Sequence, residues 1–131
     1  MTLFSKIIAG QIDSYKIYED DLTFAFLDIH PHTLGHTLVI PKIEVGDFSD
    51  LPENYMLAIF KNAQKLSKAI QKATGSQRVG LLIHGMGVPD HFHLHLIPMH
   101  TAGDLNDSKA HPESPEKMEE VREKIVEALT Q

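Results

Sequence analysis

The chain contains no cysteine. Disulfides and thiolate metal sites are thereby excluded, and a reducing, cytoplasmic setting is the expectation. No apolar run is long enough to cross a membrane, so no membrane partner is expected. The first residues lack the basic start and unbroken apolar stretch of a signal peptide. Positive charge is scarce, with 12 Lys and Arg against 18 Asp and Glu and a net charge of -6. That balance argues against a broad surface for a nucleic-acid duplex and leaves room for a single phosphate pocket. Neither an internal repeat nor a low-complexity linker interrupts the sequence. With 131 residues, 42% of them hydrophobic, the chain is expected to form one domain, 1–131, with one sizeable core.

Histidine, by contrast, is abundant, with nine in the chain. Three of them fall in His91-Phe92-His93-Leu94-His95-Leu96-Ile97-Pro98. On a β-strand, alternate side chains share a face, so His91, His93 and His95 would line one side and Phe92, Leu94 and Leu96 the other. On a helix His93 would point away from both neighbours. Pro98, unable to donate to a ladder, would close the strand.

The rest of the chain supports an α+β domain with a five-stranded, mostly antiparallel sheet. Thr2 can cap a short helix that stops at Gly10. Strands are expected at 15–19, 22–28 and 36–40, the first two as a hairpin, with Pro41 ending the third. Asp50 and Glu53 have capping-box spacing ahead of a long helix carrying Met56, Ile59, Phe60, Ala63, Leu66 and Ile70, closed by Gly75. Val79 to Ile83 reads as a fourth strand, apolar enough for burial on both faces. A polar loop, 99–113, leads to a last helix capped by Ser114 with Pro115 at its first position.

Read from the residues alone, the histidine strand admits three roles. It could be a solvated face. It could hold a zinc or iron ion, with Asp28 or Asp90 as a carboxylate partner. Or its central imidazole could attack phosphorus while its neighbours hold phosphate oxygens.

The segment His91-Phe92-His93-Leu94-His95-Leu96-Ile97 resembles the signature of the histidine triad family of nucleotide hydrolases and transferases. Leu3 to Ile8, Glu19-Asp20, Phe26 to Ile29 and Gly35 to Lys42 are similar to that family's N-terminal blocks, in order and spacing. The likeness covers about residues 3–100, leaves 99–131 outside its motifs, and lies nearest the purine nucleoside phosphoramidases. It implies His93 as nucleophile at an α-phosphorus, with a nucleotidyl-histidine intermediate and no metal or other cofactor. It implies His95 as a phosphate ligand, His91 as an orienting group that passes a proton to the leaving group, and His36 as a fourth member of the network. Asp28 would accept hydrogen bonds from ribose hydroxyls. Leu3, Phe4, Ile7, Phe26, Ile29 and Leu38 would wall a purine pocket, although each is equally readable as core. A homodimer is also implied. Hydrolysis of dinucleoside polyphosphates, or nucleotide binding with little turnover, are the alternatives.

Three departures stand out. Val88 occupies the place of a phosphate-binding hydroxyl. His84 lies near the place of a phosphate-binding Asn. Thr2, Ser5 and Glu44 stand where some bacterial members place the Cys-x-x-Cys and His of a structural zinc, so that site is expected to be absent. His30, His32, His100 and His111 are expected to be solvated loop residues.

Overall fold

The computed structural model describes all 131 residues. A short helix α1, Leu3–Ile8, precedes strands β1 (Lys16–Glu19), β2 (Thr23–Leu27) and β3 (Thr37–Pro41). The long helix α2, Glu53–Thr74, then leads to β4 (Arg78–Leu82), β5 (Leu94–Met99) and α3 (Pro115–Leu129). The strands form one sheet in the order β1-β2-β3-β5-β4, antiparallel at every pairing.

Period-two alternation sorts the sheet residues onto two faces. Ala25, Leu27, Val39, Leu94 and Leu96 pack against Ile59, Ala63, Leu66 and Ile70 of α2 and Met118, Val121 and Ile125 of α3. Phe24, Phe26, Leu38 and Ile40 turn the other way and pack with Phe4 and Ile7 of α1. A fully buried Leu or Ile is worth roughly 1.5–3 kcal/mol over the exposed state. The α2–α3 side is therefore the main source of stability. The turn between β1 and β2 is tied to α2 by Asp20. Its Oδ1 accepts from the Thr23 N–H at 2.8 Å, and its Oδ2 accepts from Asn62 of α2 at 2.8 Å.

Helix ends follow local chemistry. The Thr2 hydroxyl accepts from the Ser5 N–H, Ser114 caps α3 ahead of Pro115, and Gly75 ends α2 at φ +69°. The expected capping box at α2 does not form. Pro52 occupies the N-cap without a side-chain bond, and Asp47 caps a 3-10 turn, Phe48–Asp50, instead.

The strands differ from expectation in three places. β5 begins only at Leu94, so His91 and His93 sit in the extended segment before it. Pro98 does not close β5 but lies inside it, paired with Val79. Pro41 does end β3, as expected, and is paired there with Thr23. Most notably, β4 is not buried on both faces. It is an edge strand, with Leu81 50% exposed and Ile83 39% exposed just beyond it.

Candidate active site

The α1 face of the sheet carries the histidines. Asp28 and His36 flank β2 and β3 in the same parity as Phe26 and Leu38, and His95 of β5 pairs with Leu38. The solvated-face reading fails, because His36, His91, His93 and His95 are all buried. His32 is buried as well, against the expectation of a solvated loop, with its ring edge-on to His36 at 4.9 Å. The folded-back segment 102–109 reaches it through Asp104 and Asp107. Its Nδ1 meets the Asp104 carbonyl at 3.0 Å and its Nε2 lies 3.3 Å from Asp107. His30, His100 and His111 are exposed.

Main-chain groups fix where the ring protons sit. The His32 N–H donates to His36 Nδ1 at 3.1 Å. A neutral His36 therefore carries its proton on Nε2, which donates to His95 Nδ1 at 2.9 Å. That leaves His95 with an N–H at Nε2, a buried donor with no partner in the chain. Buried polar atoms are rarely left unpaired, so this one marks where an acceptor belongs. His93 is wired in the opposite sense. Its Nδ1–H donates to the His91 carbonyl at 3.0 Å, which leaves the Nε2 lone pair free.

His91 has no free nitrogen. Its Nε2–H donates to the Pro41 carbonyl at 2.8 Å, and its Nδ1 accepts from the Thr2 hydroxyl at 2.6 Å. With both nitrogens engaged, the ring is held in a fixed orientation beside its neighbours. Thr2 is also tied to Glu44, which accepts from the Thr2 N–H and from the Ser5 hydroxyl at 2.7 Å. Two hydroxyls, a carboxylate and a histidine already bonded among themselves are a poor donor set for structural zinc, which favours thiolate and free imidazole.

Burial sets the charge state. It pulls the His95 imidazolium down to about 4 and His36 down to about 2, with neighbouring imidazoles adding to the effect. His91 and His93 are lowered for the same first reason. All four rings are thus neutral near pH 7. Asp28 is raised by burial, partly offset by the His30 N–H that donates to it at 2.9 Å. Asp28, His36 and His95 each bring a donor atom within 4.8 Å of the others. A cation there would need lone pairs on both His36 Nε2 and His95 Nδ1. The 2.9 Å separation holds a proton instead, and the main-chain bond to His36 Nδ1 fixes that tautomer.

Beside His93 lies an open cavity of about 450 Å³. All the expected wall residues line it: Leu3, Phe4, Ile7, Phe26, Ile29 and Leu38, with Asp28 and Val88. Leu3 and Ile29 are half exposed because they face this opening. The Phe4 ring stands edge-on to His93 at 5.2 Å. Ile12, Asp13 and Ser14 also line the cavity and were not expected from the sequence, because they carry no motif. His84 stacks on His95 at 5.2 Å and lies 6.3 Å from His93, so the structure brings it to the triad. Its Nδ1 accepts from the Met86 N–H, which places the proton of the neutral ring on Nε2. Asp90 takes no part in this cluster. The loop before the triad is pinned from below, since a Cβ on Gly46 would lie 1.9 Å from the Pro89 carbonyl oxygen.

The HIT domain family matches residues 9–102. Among curated proteins, an uncharacterized HIT-like protein of Borreliella burgdorferi is 40% identical over 73% of this chain and 73% of its own length. An adenosine 5'-monophosphoramidase of Saccharomyces cerevisiae is 38% identical over 73% of this chain and 61% of its own length. Among solved structures, a hypothetical histidine triad nucleotide-binding protein of Sulfolobus tokodaii superposes with a TM-score of 0.85. Its identity is 30%, covering 97% of this chain and 91% of that one.

Proposed function

The chain belongs to the HIT domain family, and on that premise we propose that it hydrolyses purine nucleotide conjugates at the α-phosphorus, with adenosine 5'-phosphoramidates as the type substrate. The observation that carries this reading is the opposed wiring of two adjacent imidazoles. His93 presents a lone pair at Nε2, while His95 presents an unpartnered N–H at Nε2, with ring centres 5.0 Å apart. A nucleophile beside a donor is what in-line attack on phosphorus needs.

In the proposed reaction, His93 Nε2 attacks the α-phosphorus and the bond from phosphorus to the leaving nitrogen breaks. The departing amine takes a proton from solvent, which reaches the triad past the exposed His84. The His95 Nε2–H steadies a phosphate oxygen as charge builds. Water then attacks the same phosphorus, the bond to His93 breaks, and the nucleoside monophosphate departs. Asp28 binds the ribose hydroxyls, and Phe4, Ile7 and Leu38 sandwich the base. Val88 offers no hydroxyl to the phosphate, so His84 and His95 carry that load.

The reaction as proposed uses no metal and takes place in the cytoplasm. The enzyme works as a homodimer through the open edge of β4, where Leu81 and the adjacent α2 residue Phe60 line a shared groove. Sedimentation at micromolar concentration tests the dimer, and a monomer mass refutes it. Full activity after dialysis against a chelator is expected; loss restored by zinc overturns the metal-free reaction. The decisive experiment is mass spectrometry of protein quenched during turnover of adenosine 5'-phosphoramidate. An adenylyl adduct on His93 is expected. Turnover without any adduct removes the covalent route.

A further inference from the structure

We propose that His32 is a positioning residue for this reaction: the segment after β5 grips its ring, and its main-chain N–H then decides which nitrogen of His95 carries the proton. The proposal rests on the reading in which the His95 Nε2–H steadies a phosphate oxygen. The loop between β2 and β3 is tied down at three successive residues. The Pro31 carbonyl accepts from the His111 N–H at 3.2 Å. The His32 Nδ1–H donates to the Asp104 carbonyl at 3.0 Å, and the Thr33 hydroxyl donates to the Pro98 carbonyl at 2.6 Å. Asp104 is buried and anchored in turn, since its Oδ2 accepts from the His100 N–H at 2.8 Å and the Thr101 N–H at 3.0 Å. The carbonyl that holds the His32 ring is therefore fixed to the end of β5. Asp104 and His111 lie past residue 102, where the HIT match ends, so the grip comes from outside the matched part of the chain.

The consequence runs through two rings. Neutral imidazoles joined by one hydrogen bond have two self-consistent arrangements of their protons. In the first, His36 Nε2–H donates to His95 Nδ1, and His95 keeps an N–H at Nε2. In the second, His95 Nδ1–H donates to His36 Nε2, the His36 proton sits on Nδ1, and His95 Nε2 is a bare lone pair. Only the first offers phosphate a donor. The 2.9 Å separation of the two nitrogens suits either arrangement. The His32 N–H, 3.1 Å from His36 Nδ1, selects the first, because a proton on Nδ1 would point at it. Every residue type but proline supplies that N–H. Its aim, however, depends on the His32 side chain, which is buried edge-on to His36 at 4.9 Å and held at Nδ1 by Asp104.

The test is nitrogen NMR of isotope-labelled imidazoles at neutral pH, which separates protonated from bare ring nitrogens, paired with kcat for adenosine 5'-phosphoramidate. In the unaltered protein His95 Nε2 is expected to be protonated and His36 Nδ1 bare. His32→Ala is expected to mix the two arrangements on His95 and to lower kcat about tenfold. Asp104→Ala, which frees the carbonyl without altering either ring, is expected to act in the same direction. His32→Asn is expected to restore both readouts, because its amide nitrogen stands close to the place of the imidazole Nδ1 and donates to the same carbonyl. A bare His95 Nε2 in the unaltered protein overturns the proposal. The parent proton pattern and parent kcat in His32→Ala, or in Asp104→Ala should the first variant fail to fold, remove His32 from the reaction and leave the reaction standing. The NMR arm needs no turnover. If the protons move as expected and even the unaltered protein hydrolyses no phosphoramidate, the reaction fails and the positioning stands.

Discussion

The two faces of the sheet are made by the same five strands and do opposite work. On the α2–α3 side, alternate residues build an apolar cluster of 16 buried residues, with Thr23 and Asn62 hydrogen-bonded to each other beside it. On the α1 side the apolar cluster has 6, and imidazoles fill the space beside it. One step along the chain changes the job. Leu94 is core, whereas His93 and His95 on either side of it belong to the buried imidazole cluster to which the reaction is assigned in our proposal. The lesson is that strand parity separates the fold from the reaction, so substitutions one residue apart should fail in different ways.

The sharpest test of that separation is His93→Ala. Turnover should fall by at least about a thousandfold, with nucleotide binding retained by calorimetry. Residual activity within tenfold of the parent would remove His93 as nucleophile. Next comes Leu94→Ala. It should cost about 2–5 kcal/mol in urea denaturation, through a cavity against α2, while kcat of the folded fraction stays near the parent value. A large loss of kcat at full stability would break the division between faces.

Acid provides the third test, because burying neutral imidazole carries a cost only on the α1 face. The unfolded His95 takes a proton near pH 6.5, whereas the folded ring resists until about 4. Stability is therefore full above pH 6.5 and falls as the pH drops towards 4. His95 alone loses on the order of 2 kcal/mol by pH 5. His36, held near 2, extends the decline further. Urea midpoints that do not change from pH 8 to pH 5 would contradict this. Asp20 gives the contrasting case at the hairpin end. Burial raises its carboxyl, but the hydrogen bonds from Asn62 and Thr23 outweigh that and hold it near 2. Its contribution is present above the usual carboxylate range and is lost only as the pH falls through about 2.

The smallest expected effect is that of Thr2→Val. It leaves His91 Nδ1 buried without a donor and removes the cap of α1, at a cost of about 1–3 kcal/mol. If Thr2 positions the triad, kcat should drop by about tenfold and Thr2→Ser should restore it. A stability loss with unchanged kcat would assign Thr2 to the fold alone.

How legible these faces were in the sequence depends on the range of the contacts. The alternation of His91, Phe92, His93 and Leu94 gave the two sides correctly, even though the strand starts only at Leu94, because extended backbone keeps the period. The Thr2 and Ser114 caps and the Gly75 stop are local and were readable. β4 was misjudged because an apolar run looks the same whether a core or an open edge awaits it. The Asp50–Glu53 spacing misled because Asp47 and Pro52 already set the approach to α2. The burial of His32 depends on segment 102–109, more than 70 residues away, and no local pattern signals it. The roles of Thr2, Ser5 and Glu44 as one bonded group appear only when residue 44 is brought back to residue 2.

Three of the bonds that orient these rings end on main-chain atoms: the Pro41 carbonyl, the His91 carbonyl and the His32 N–H. No codon change deletes a carbonyl. Mutational drift is free to redecorate the cavity walls and the loop before the triad while each ring keeps its assigned tautomer. A lineage built on this scaffold can change what its cavity admits while the arrangement of the rings is inherited intact.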